Sequence, residues 1–422
     1  MNKVLVITYY WPPSGGAGVQ RWLKFAKYLP EFGWEPVILT VDPEYAAYPV
    51  ADNSLLTDQP SSIKVHKTPA IDYFSIYRKD KSKIPTAGFA NNTDNSFKGK
   101  ILRFIRGNFF IPDPRRGWNR YAFKKACEII EMEGINSVIT TSPPHSTQLI
   151  GQKIKKKYPG IKWIADLRDP WTDIYYYNQF YPTFLSRKID LNFEKEVLKH
   201  ADRIITIGAS LKTLFSLKVK GIDGKIDIIT NGYDEEDFSG IVPSSPEIFT
   251  ISYIGTLSDA YPIDGFLKSL CSFKEKGNDF RLRFIGAVSP KQKELILSKT
   301  GNSTLEFISY VDHTSAIRYM LDTTVLLLII PDHKSSKNII TGKLFEYIAS
   351  GKPIICLGPA DGDAANIIRS VGAGDTFGYN DNVSIEDFLL QSVYNPLHLA
   401  SDNRIEYSRK KLTEKIFNIL NT

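Results

Sequence analysis

Two uninterrupted apolar runs, at residues 325–330 and 353–357, constrain the fold of this chain more than any other feature. Continuous apolar strands are typical of parallel sheets that helices cover on both faces. A polar loop and a short helix lie between the two runs, and the helix begins near Thr341, a candidate N-cap. The segment therefore predicts a strand, a loop, a helix and a second strand, with a ligand site beyond the carboxyl end of the first strand.

Lys343 and Glu346 lie one turn apart at the start of this predicted helix. The free backbone N–H groups, the positive end of the helix dipole and the Lys343 charge together suit a phosphate. Glu346 can accept hydrogen bonds from two neighbouring hydroxyls, as on a ribose. The alternative is a solvated surface pair, which is what most charged pairs at this spacing form. We favour a nucleotide site, because the flanking strands fix its position.

Strand and helix patterns alternate along the whole chain and predict two α/β domains. A length of 422 residues agrees, since it exceeds what one hydrophobic core usually fills. Turn-forming residues at 239–246 predict a boundary between an N-terminal domain at 1–238 and a C-terminal domain at 239–403, followed by a closing helix at 404–422. The predicted strands are 3–8, 36–41, 137–141, 161–165, 204–207 and 226–229 in the first series, and 249–255, 280–286, 305–308, 325–330 and 353–357 in the second.

The helix at Thr341 and the strand after it resemble the C-terminal nucleotide-sugar site of GT-B glycosyltransferases of family 4. The resemblance implies two Rossmann-like domains that face a central cleft, a last helix that crosses back to the first domain, and retaining transfer from a nucleotide diphosphate sugar without a metal or other cofactor. Glu346 matches the glutamate that holds the donor ribose in this family, and Lys343 matches a subset with Lys-x-x-Glu. Asn338 stands where the family has an earlier glutamate.

The resemblance implies further donor contacts in turns that follow predicted strands. The Gly15-Gly16 loop opens the first helix but is neither Gly-x-Gly-x-x-Gly nor a P-loop, so tight-turn packing is the alternative. Asp42 ends the second strand, where a dinucleotide-binding domain keeps its ribose acid, and we rank that rival function lower. The full set of implied donor-binding residues is Gly15, Gly16, Gly255, Thr256, Val311, Asn338, Thr341, Gly342, Lys343 and Glu346.

Two polar segments that follow first-series strands predict the acceptor side. Asp166, Arg168 and Asp169 precede Pro170 and are candidates for acceptor binding, because two acids around one arginine are costly to bury; a salt-bridged turn is the alternative. His145 follows the preceding strand, where a structural role is the alternative. We expect Asp169 to contact the acceptor hydroxyl and His145 to assist it, so that Asp169, His145 and Lys343 form the predicted catalytic set.

Positive charge is concentrated in residues 97–125, where nine basic residues and several aromatic residues accompany one acid, Asp113; the net charge of the chain is +7. Such a segment predicts contact with an anionic membrane surface, which suits a lipid-linked acceptor. Nucleic acid would also be attracted, but we do not expect it as a partner. A merely solvated basic helix is the alternative.

Three separated cysteines without metal-ligand spacing (Cys127, Cys271 and Cys356) predict buried thiols in a reducing compartment. We identify neither a metal site nor a signal peptide nor a membrane span, and expect a cytoplasmic protein, peripheral on the inner face of the membrane. The predicted function is transfer of a sugar to a carbohydrate acceptor, lipid-linked, in cell-surface polysaccharide or glycoconjugate synthesis. The alternatives are a nucleotide-sugar epimerase of the same fold and a non-catalytic membrane-surface protein that binds polyanions.

Overall fold

The structure of the protein is a computed structural model, which describes residues 1–48, 51–56, 58–73, 96–242, 246–301, 305–394 and 403–422. The chain divides into two compact units. The first unit comprises Met1–Thr230 together with Arg409–Thr422, and the second comprises Asn231–Ser408. Each unit is built around one parallel sheet with helices packed against it.

The first unit contains a seven-stranded parallel sheet in the order β3-β2-β1-β4-β5-β6-β7. Its inner strands β4 and β5 are almost fully buried, which is typical of a parallel sheet that helices cover on both faces. The strands are β1 (Asn2–Ile7), β2 (Trp34–Val41), β3 (Lys64–Thr68), β4 (Ser137–Ser142), β5 (Lys162–Leu167), β6 (Arg203–Thr206) and β7 (Ile226–Ile228). The helices that the structure describes here are α1 (Ala17–Tyr28), α2 (Phe97–Phe109), α3 (Asn119–Glu133), α4 (Gln148–Lys157), α5 (Phe184–His200) and α6 (Ala209–Lys218).

The second unit contains a six-stranded parallel sheet in the order β10-β9-β8-β11-β12-β13. The strands are β8 (Thr250–Ile254), β9 (Arg281–Ile285), β10 (Leu305–Ile308), β11 (Val325–Ile329), β12 (Ile354–Leu357) and β13 (Gly374–Phe377). The described helices are α7 (Asp264–Glu275), α8 (Pro290–Thr300), α9 (His313–Leu321), α10 (Gly342–Ser350), α11 (Asp363–Ser370) and α12 (Asn382–Tyr394). A buried cluster centred on Tyr253, Phe284 and Leu327 forms part of its core.

Both sheets have the strand order of a Rossmann-like fold, so the predicted α/β class is confirmed. In this order the second and third strands are added on one side of the first strand, and the fourth is added on its other side, which creates a topological switch point between the first strand and the fourth. The switch lies between β1 and β4 in the first unit and between β8 and β11 in the second. Ligands of such sheets bind beyond the carboxyl ends of these strands, which directs attention to the loops that follow them.

The two sheets each contain one edge strand that the sequence patterns did not predict. β3 contains two lysines, Lys64 and Lys67, and β13 begins with Gly374 and has one apolar residue, Phe377. Each pairs on one side only, with β2 and with β12. Short edge strands of this kind lack the continuous apolar sequence of a buried strand, because much of their surface faces solvent.

The chain passes from the first unit to the second after Thr230 and returns to the first unit after Ser408. The predicted domain limits were 238 and 403. The intervening residues contact the second unit: the Tyr233 N–H donates to the Tyr407 carbonyl, and the Tyr407 ring packs at 5.6 Å from that of Phe345. The last helix, α13 (Arg409–Asn421), packs against α1 in the first unit. Its buried face includes Leu412 and Ile416.

None of the helices in the described part of the chain is long and apolar enough to cross a membrane. Cys127 and Cys356 are buried, as predicted. Cys271 is only partly buried, which corrects the prediction; its thiol donates to the Lys299 carbonyl on the surface of the unit.

Candidate functional site

The loops after β8 and β11 bring the predicted donor residues together at the switch point of the second sheet. Gly255 and Thr256 directly follow β8, and the segment after β11 leads to Thr341 and the start of α10. Gly255 has a φ of +124°, a conformation that side-chain-bearing residues rarely adopt, and a Cβ there would lie 3.0 Å from the Lys343 ammonium. Glycine therefore lets Lys343 reach the edge of the sheet.

The Lys343 side chain bends over Tyr253, a residue of β8 that the sequence patterns did not single out. Its ammonium lies 3.0 Å from the Tyr253 hydroxyl, to which it donates, and 4.2 Å from the ring centre. The Tyr253 hydroxyl in turn donates to the Thr256 carbonyl at 2.8 Å. Burial lowers the pKa of Lys343 to about 8. The lysine is thus held as a desolvated cation beside the glycine turn.

Glu346 has a different partner from Lys343. Its Oε1 lies 3.0 Å from Nε2 of His313, the first residue of α9. Among the ion pairs of the described residues, none joins Lys343 to Glu346 at 4.0 Å or less, so the surface-pair alternative does not describe this site. Because His313 follows Val311 by two residues, the predicted base contact and ribose contact lie on neighbouring elements. The sequence patterns did not single out His313, because no local spacing links it to Glu346.

Thr341 occupies the N-cap position of α10, as predicted, but its side chain makes no capping hydrogen bond. Its hydroxyl is buried and has no hydrogen-bond partner within the described structure. Gly342 is the first helical residue, and Asn338 ends a short 3-10 turn in the loop before the helix. The backbone N–H groups at the start of α10 are therefore available to a ligand.

The Gly15-Gly16 loop follows β1 at the switch point of the first sheet. Gly16 caps α1 with a φ of +98°, and no atom lies within 4 Å of a Cβ placed on it. The position thus needs glycine for its backbone conformation, while the space beside it is open. The role of Gly15 and Gly16 toward the donor remains a prediction.

Asp166 has a structural role, which corrects its prediction as an acceptor-binding residue. It is fully buried, and its carboxylate accepts hydrogen bonds from Arg21, Trp22 and Thr141 at 2.7 to 3.2 Å. The Arg21 guanidinium also donates to the carbonyls of Ile229 and Thr230. These contacts tie α1 to the carboxyl ends of β4 and β5 and leave Asp166 no exposed oxygen for a ligand.

Arg168 is also buried and joins the loops at the ligand edge of the first sheet. Its Nε donates to the Ser142 carbonyl at 2.8 Å, and its Nη1 donates to the Gly18 carbonyl at 3.1 Å. Burial lowers its pKa, and the nearby Asp166 opposes that change. Arg168 therefore positions the glycine loop against β4.

His145 and Asp169 follow the neighbouring strands β4 and β5. The His145 ring stacks on Trp171, with centroids 4.9 Å apart, and its buried Nδ1 has no hydrogen-bond partner within the described structure. Burial lowers the pKa of His145 to about 4, so the imidazole is neutral near pH 7. Burial also raises the pKa of the Asp169 carboxyl, against the lowering effect of Arg168.

Trp171 is a third component of this region that sequence reasoning did not assign. Its Nε1 donates to Asp190 on α5 at 2.7 Å, and the Tyr177 hydroxyl donates to the other oxygen of the same carboxylate at 2.9 Å. The loop after β5 is thereby fixed to α5. In the described part of the chain, no group of three or more His, Cys, Asp or Glu side chains is placed to hold a metal ion.

No family model and no curated protein matches the sequence. Solved structures match over its full length. A sucrose-phosphate synthase from Thermosynechococcus elongatus matches with a TM-score of 0.65 at 12% identity, over 100% of this chain and 98% of that chain. A mutant of S. aureus TarM in complex with fondaparinux, alpha-GlcNAc-glycerol and UDP matches with a TM-score of 0.60 at 12% identity, over 100% of both chains.

A protein from Listeria monocytogenes assigned as a UDP-N-acetylglucosamine 2-epimerase matches with a TM-score of 0.56 at 11% identity, over 99% of this chain and 95% of that chain. At these identities the likeness shows the fold alone. Together with the two Rossmann-like units, it shows that the chain has the GT-B fold, as predicted.

Proposed function

We propose that this protein is a glycosyltransferase that moves a sugar from a nucleotide diphosphate sugar to a carbohydrate acceptor. The observation that carries the proposal is the part-buried ammonium of Lys343, which lies over the Tyr253 ring and has no carboxylate at ion-pair distance among the described residues. A desolvated cation whose carboxylate neighbours all lie beyond ion-pair distance is costly until an anion binds to it. A diphosphate at the start of α10 supplies that charge, and the helix N-terminus favours it further.

In the proposed donor complex, the parts of the nucleotide meet successive elements of the second unit. Lys343 and the first N–H groups of α10 bind the diphosphate, Glu346 accepts hydrogen bonds from the ribose, and the backbone of Val311 meets the base. His313 orients the Glu346 carboxylate through the hydrogen bond described above. The remaining proposed donor contacts are Gly15, Gly16, Gly255, Thr256, Asn338, Thr341 and Gly342.

We place the acceptor at the edge of the first sheet, beside Asp169 and His145. The raised pKa of Asp169 makes its carboxylate more basic than an ordinary aspartate, which suits removal of a proton from an acceptor hydroxyl. The neutral His145 can accept or donate one hydrogen bond to that hydroxyl. Arg168 contributes indirectly, since it positions the loops around this site.

The proposed reaction breaks the bond between the anomeric carbon and the diphosphate oxygen and forms a bond to the acceptor oxygen. Lys343 and the start of α10 stabilise the charge that develops on the leaving diphosphate, an electrostatic effect that is often the largest in catalysis. The acceptor proton leaves toward Asp169. Retention of anomeric configuration and independence from metals are proposed from the family 4 resemblance, as is a cytoplasmic role in assembling lipid-linked glycoconjugates.

A second candidate is a nucleotide-sugar epimerase, since a protein assigned as one shares the fold. An epimerase keeps the sugar on the nucleotide or releases it without an acceptor, whereas a transferase forms a new glycosidic bond. Incubation with a panel of nucleotide diphosphate sugars, with and without oligosaccharide acceptors, separates the two by the identity of the products. Acceptor-dependent release of nucleoside diphosphate supports the proposal, and an epimerised donor sugar overturns it.

The donor site can be tested independently of the acceptor. Glu346→Gln and Lys343→Ala should each weaken nucleoside diphosphate binding by about 1.5–3 kcal/mol in calorimetric titrations, because each removes a charge-assisted contact. Lys337→Ala is the matched control, since Lys337 lies in the loop before α10 but is exposed and pairs with Asp361. Wild-type affinity in both site variants would remove the donor site from the account.

A further inference from the structure

Large apolar side chains are exposed on two neighbouring helices of the first unit. On α2 these are Phe97, Ile101, Phe104 and Phe109, and at the start of α5 they are Phe184 and Leu185. Phe97 is 80% exposed and Phe184 is 83% exposed. Isolated exposed apolar residues need no explanation, but a group of six on adjoining elements marks an interaction surface. We call these six residues, with the basic residues among them, the basic aromatic surface.

The two helices form one continuous structure through Asn108. Its amide donates to the Tyr181 carbonyl at 3.1 Å, and its Oδ1 accepts from the Thr183 N–H at 2.8 Å and from the Ser186 hydroxyl at 2.7 Å. Gly107 packs so closely on the Phe180 backbone that a Cβ would lie 2.3 Å from the carbonyl oxygen. The start of α5 is therefore fixed against the end of α2.

The charge of the basic aromatic surface has one sign. Residues 97–109 and 181–189 contain basic residues and no aspartate or glutamate. The next acidic residue, Asp190, is buried. Lys98, Lys100, Arg187 and Lys188 are exposed. Arg106 instead stacks on the Phe180 ring, with its guanidinium carbon 3.9 Å from the ring centre.

The basic stretch at 97–125 does not lie on one face, which refines the sequence-based prediction of a membrane contact. Arg115 is buried, and Arg116 donates to the Ile111 carbonyl at 2.7 Å. These two arginines stabilise the turn between α2 and α3. Arg116, Arg120 and Lys124 are exposed but lie outside α2. The exposed charge of the basic aromatic surface comes from the lysines of α2 and from Arg187 and Lys188 of α5, an element outside the stretch.

We propose that the basic aromatic surface docks on an anionic lipid bilayer, with the aromatic and aliphatic side chains inserted at the interface and the lysines at the phosphate headgroups. Exposed aromatic rings gain from burial among acyl chains, while flexible lysines are attracted by the negative surface potential. Nucleic acid complements the charge but offers the aliphatic side chains little burial. The observations therefore favour a lipid surface over nucleic acid.

The purpose of this docking rests on the proposed function, because a membrane contact serves a transferase whose acceptor is attached to a lipid. α5 holds Trp171 through Asp190, and Trp171 stacks on His145 at the proposed acceptor site. The helix that would contact the bilayer with its first residues therefore also holds one side of the proposed acceptor site. This arrangement suits an acceptor whose sugar is attached to a lipid.

Vesicle co-sedimentation of the full chain tests the proposal, with phosphatidylcholine vesicles and with vesicles containing phosphatidylglycerol. Binding should require the anionic lipid and decrease with salt, because the screening length falls from about 8 Å at 0.15 M to about 3 Å at 1 M. The double substitution Lys98→Gln and Lys100→Gln should reduce partitioning into anionic vesicles about tenfold or more, because each basic residue near such a surface strengthens binding. The pair Phe184→Ser and Leu185→Ser should reduce it about tenfold or more as well.

Matched controls exist elsewhere on the first unit. Lys153→Gln with Lys156→Gln removes two exposed lysines of α4, and Leu217→Ser removes an apolar side chain of α6 that is 78% exposed. These variants should bind vesicles as the wild type does. All substituted side chains are exposed, so folding should be retained, and circular dichroism checks it.

Four results would overturn the proposal: equal binding to neutral vesicles, no binding to either kind, equal losses in the control variants, or wild-type binding by both surface pairs. A surface that binds single-stranded nucleic acid more tightly than lipid, or that mediates concentration-dependent dimers lost in Phe184→Ser, would also replace it. The Lys343→Ala variant should bind vesicles normally. A variant that loses nucleotide binding but still binds vesicles therefore reports on the donor site. A variant that loses vesicle binding but still binds nucleotide reports on the basic aromatic surface.

Discussion

Nucleotide affinity should fall as the pH rises through the range in which Lys343 loses its proton. In the free protein, burial lowers the pKa of Lys343 from its ordinary value of 10.5 to about 8. A bound diphosphate stabilises the charged lysine and raises this pKa again. The ligand therefore prefers the protonated protein, so that affinity is highest below about pH 8 and decreases above it.

The size of the effect follows from the two pKa values. If the diphosphate returns the pKa of Lys343 from about 8 to its ordinary value of 10.5, about nine-tenths of Lys343 in the free protein is protonated at pH 7 and about one-tenth at pH 9. Because binding at the higher pH requires proton uptake, affinity should fall about tenfold between these pH values, or about 1.4 kcal/mol. Phosphate ionisation adds little, since its second pKa is about 6.

Calorimetric titration with uridine diphosphate, in buffers of different ionisation enthalpy, measures both affinity and proton uptake. Lys343→Arg is the control, because a guanidinium keeps the charge and does not titrate in this range, so its profile should be flat. A wild-type affinity that is constant from pH 7 to 9 would refute the reasoning. A wild-type slope in Lys343→Arg would show that another group titrates.

Three further predictions concern the first unit. Arg21→Met leaves the buried Asp166 carboxylate without its counter-charge, and urea titration should show a loss of about 3–5 kcal/mol in the free energy of unfolding; a loss below about 1 kcal/mol would contradict the ion pair's importance. Burial raises the pKa of Asp190 from 3.8 to about 7, so the folded state binds this proton more tightly and the free energy of unfolding declines as the pH rises from about 4 to 7. Asp190→Asn should lessen that decline in thermal melts, and an unchanged dependence on pH would show that Asp190 is not its cause. Asp169→Asn should reduce the transfer rate about a hundredfold or more at nearly constant nucleotide affinity, and His145→Ala less so, whereas normal transfer by Asp169→Asn would assign the turn a structural role.

The fold could be predicted because most strands are buried on both faces and have continuous apolar sequences. The runs at 325–330 and 353–357 became β11 and β12 with nearly the expected limits. β3 and β13 were missed because an edge strand carries no such sequence. The positions at which the chain passes between the units also could not be predicted, since they depend on contacts such as that of Tyr233 with Tyr407.

The location of the site could be predicted from strand ends, but its internal contacts could not. Lys343 and Glu346 follow β11 in a parallel sheet, which fixes their place. Their partners, Tyr253 and His313, lie on other elements of the unit, and no local spacing links them. Asp166 was predicted to bind the acceptor because one sequence does not reveal that Arg21, far away in the chain, is buried against it.

A structure of the protein with bound uridine diphosphate, the nucleotide present in the TarM complex, would show whether the site at the start of α10 binds the donor nucleotide. We expect ribose hydroxyls within hydrogen-bond distance of the Glu346 carboxylate, and phosphate oxygens beside the Lys343 ammonium and the first N–H groups of α10. A nucleotide bound at another place, with Lys343 still donating to Tyr253 and Glu346 still paired with His313, would contradict it.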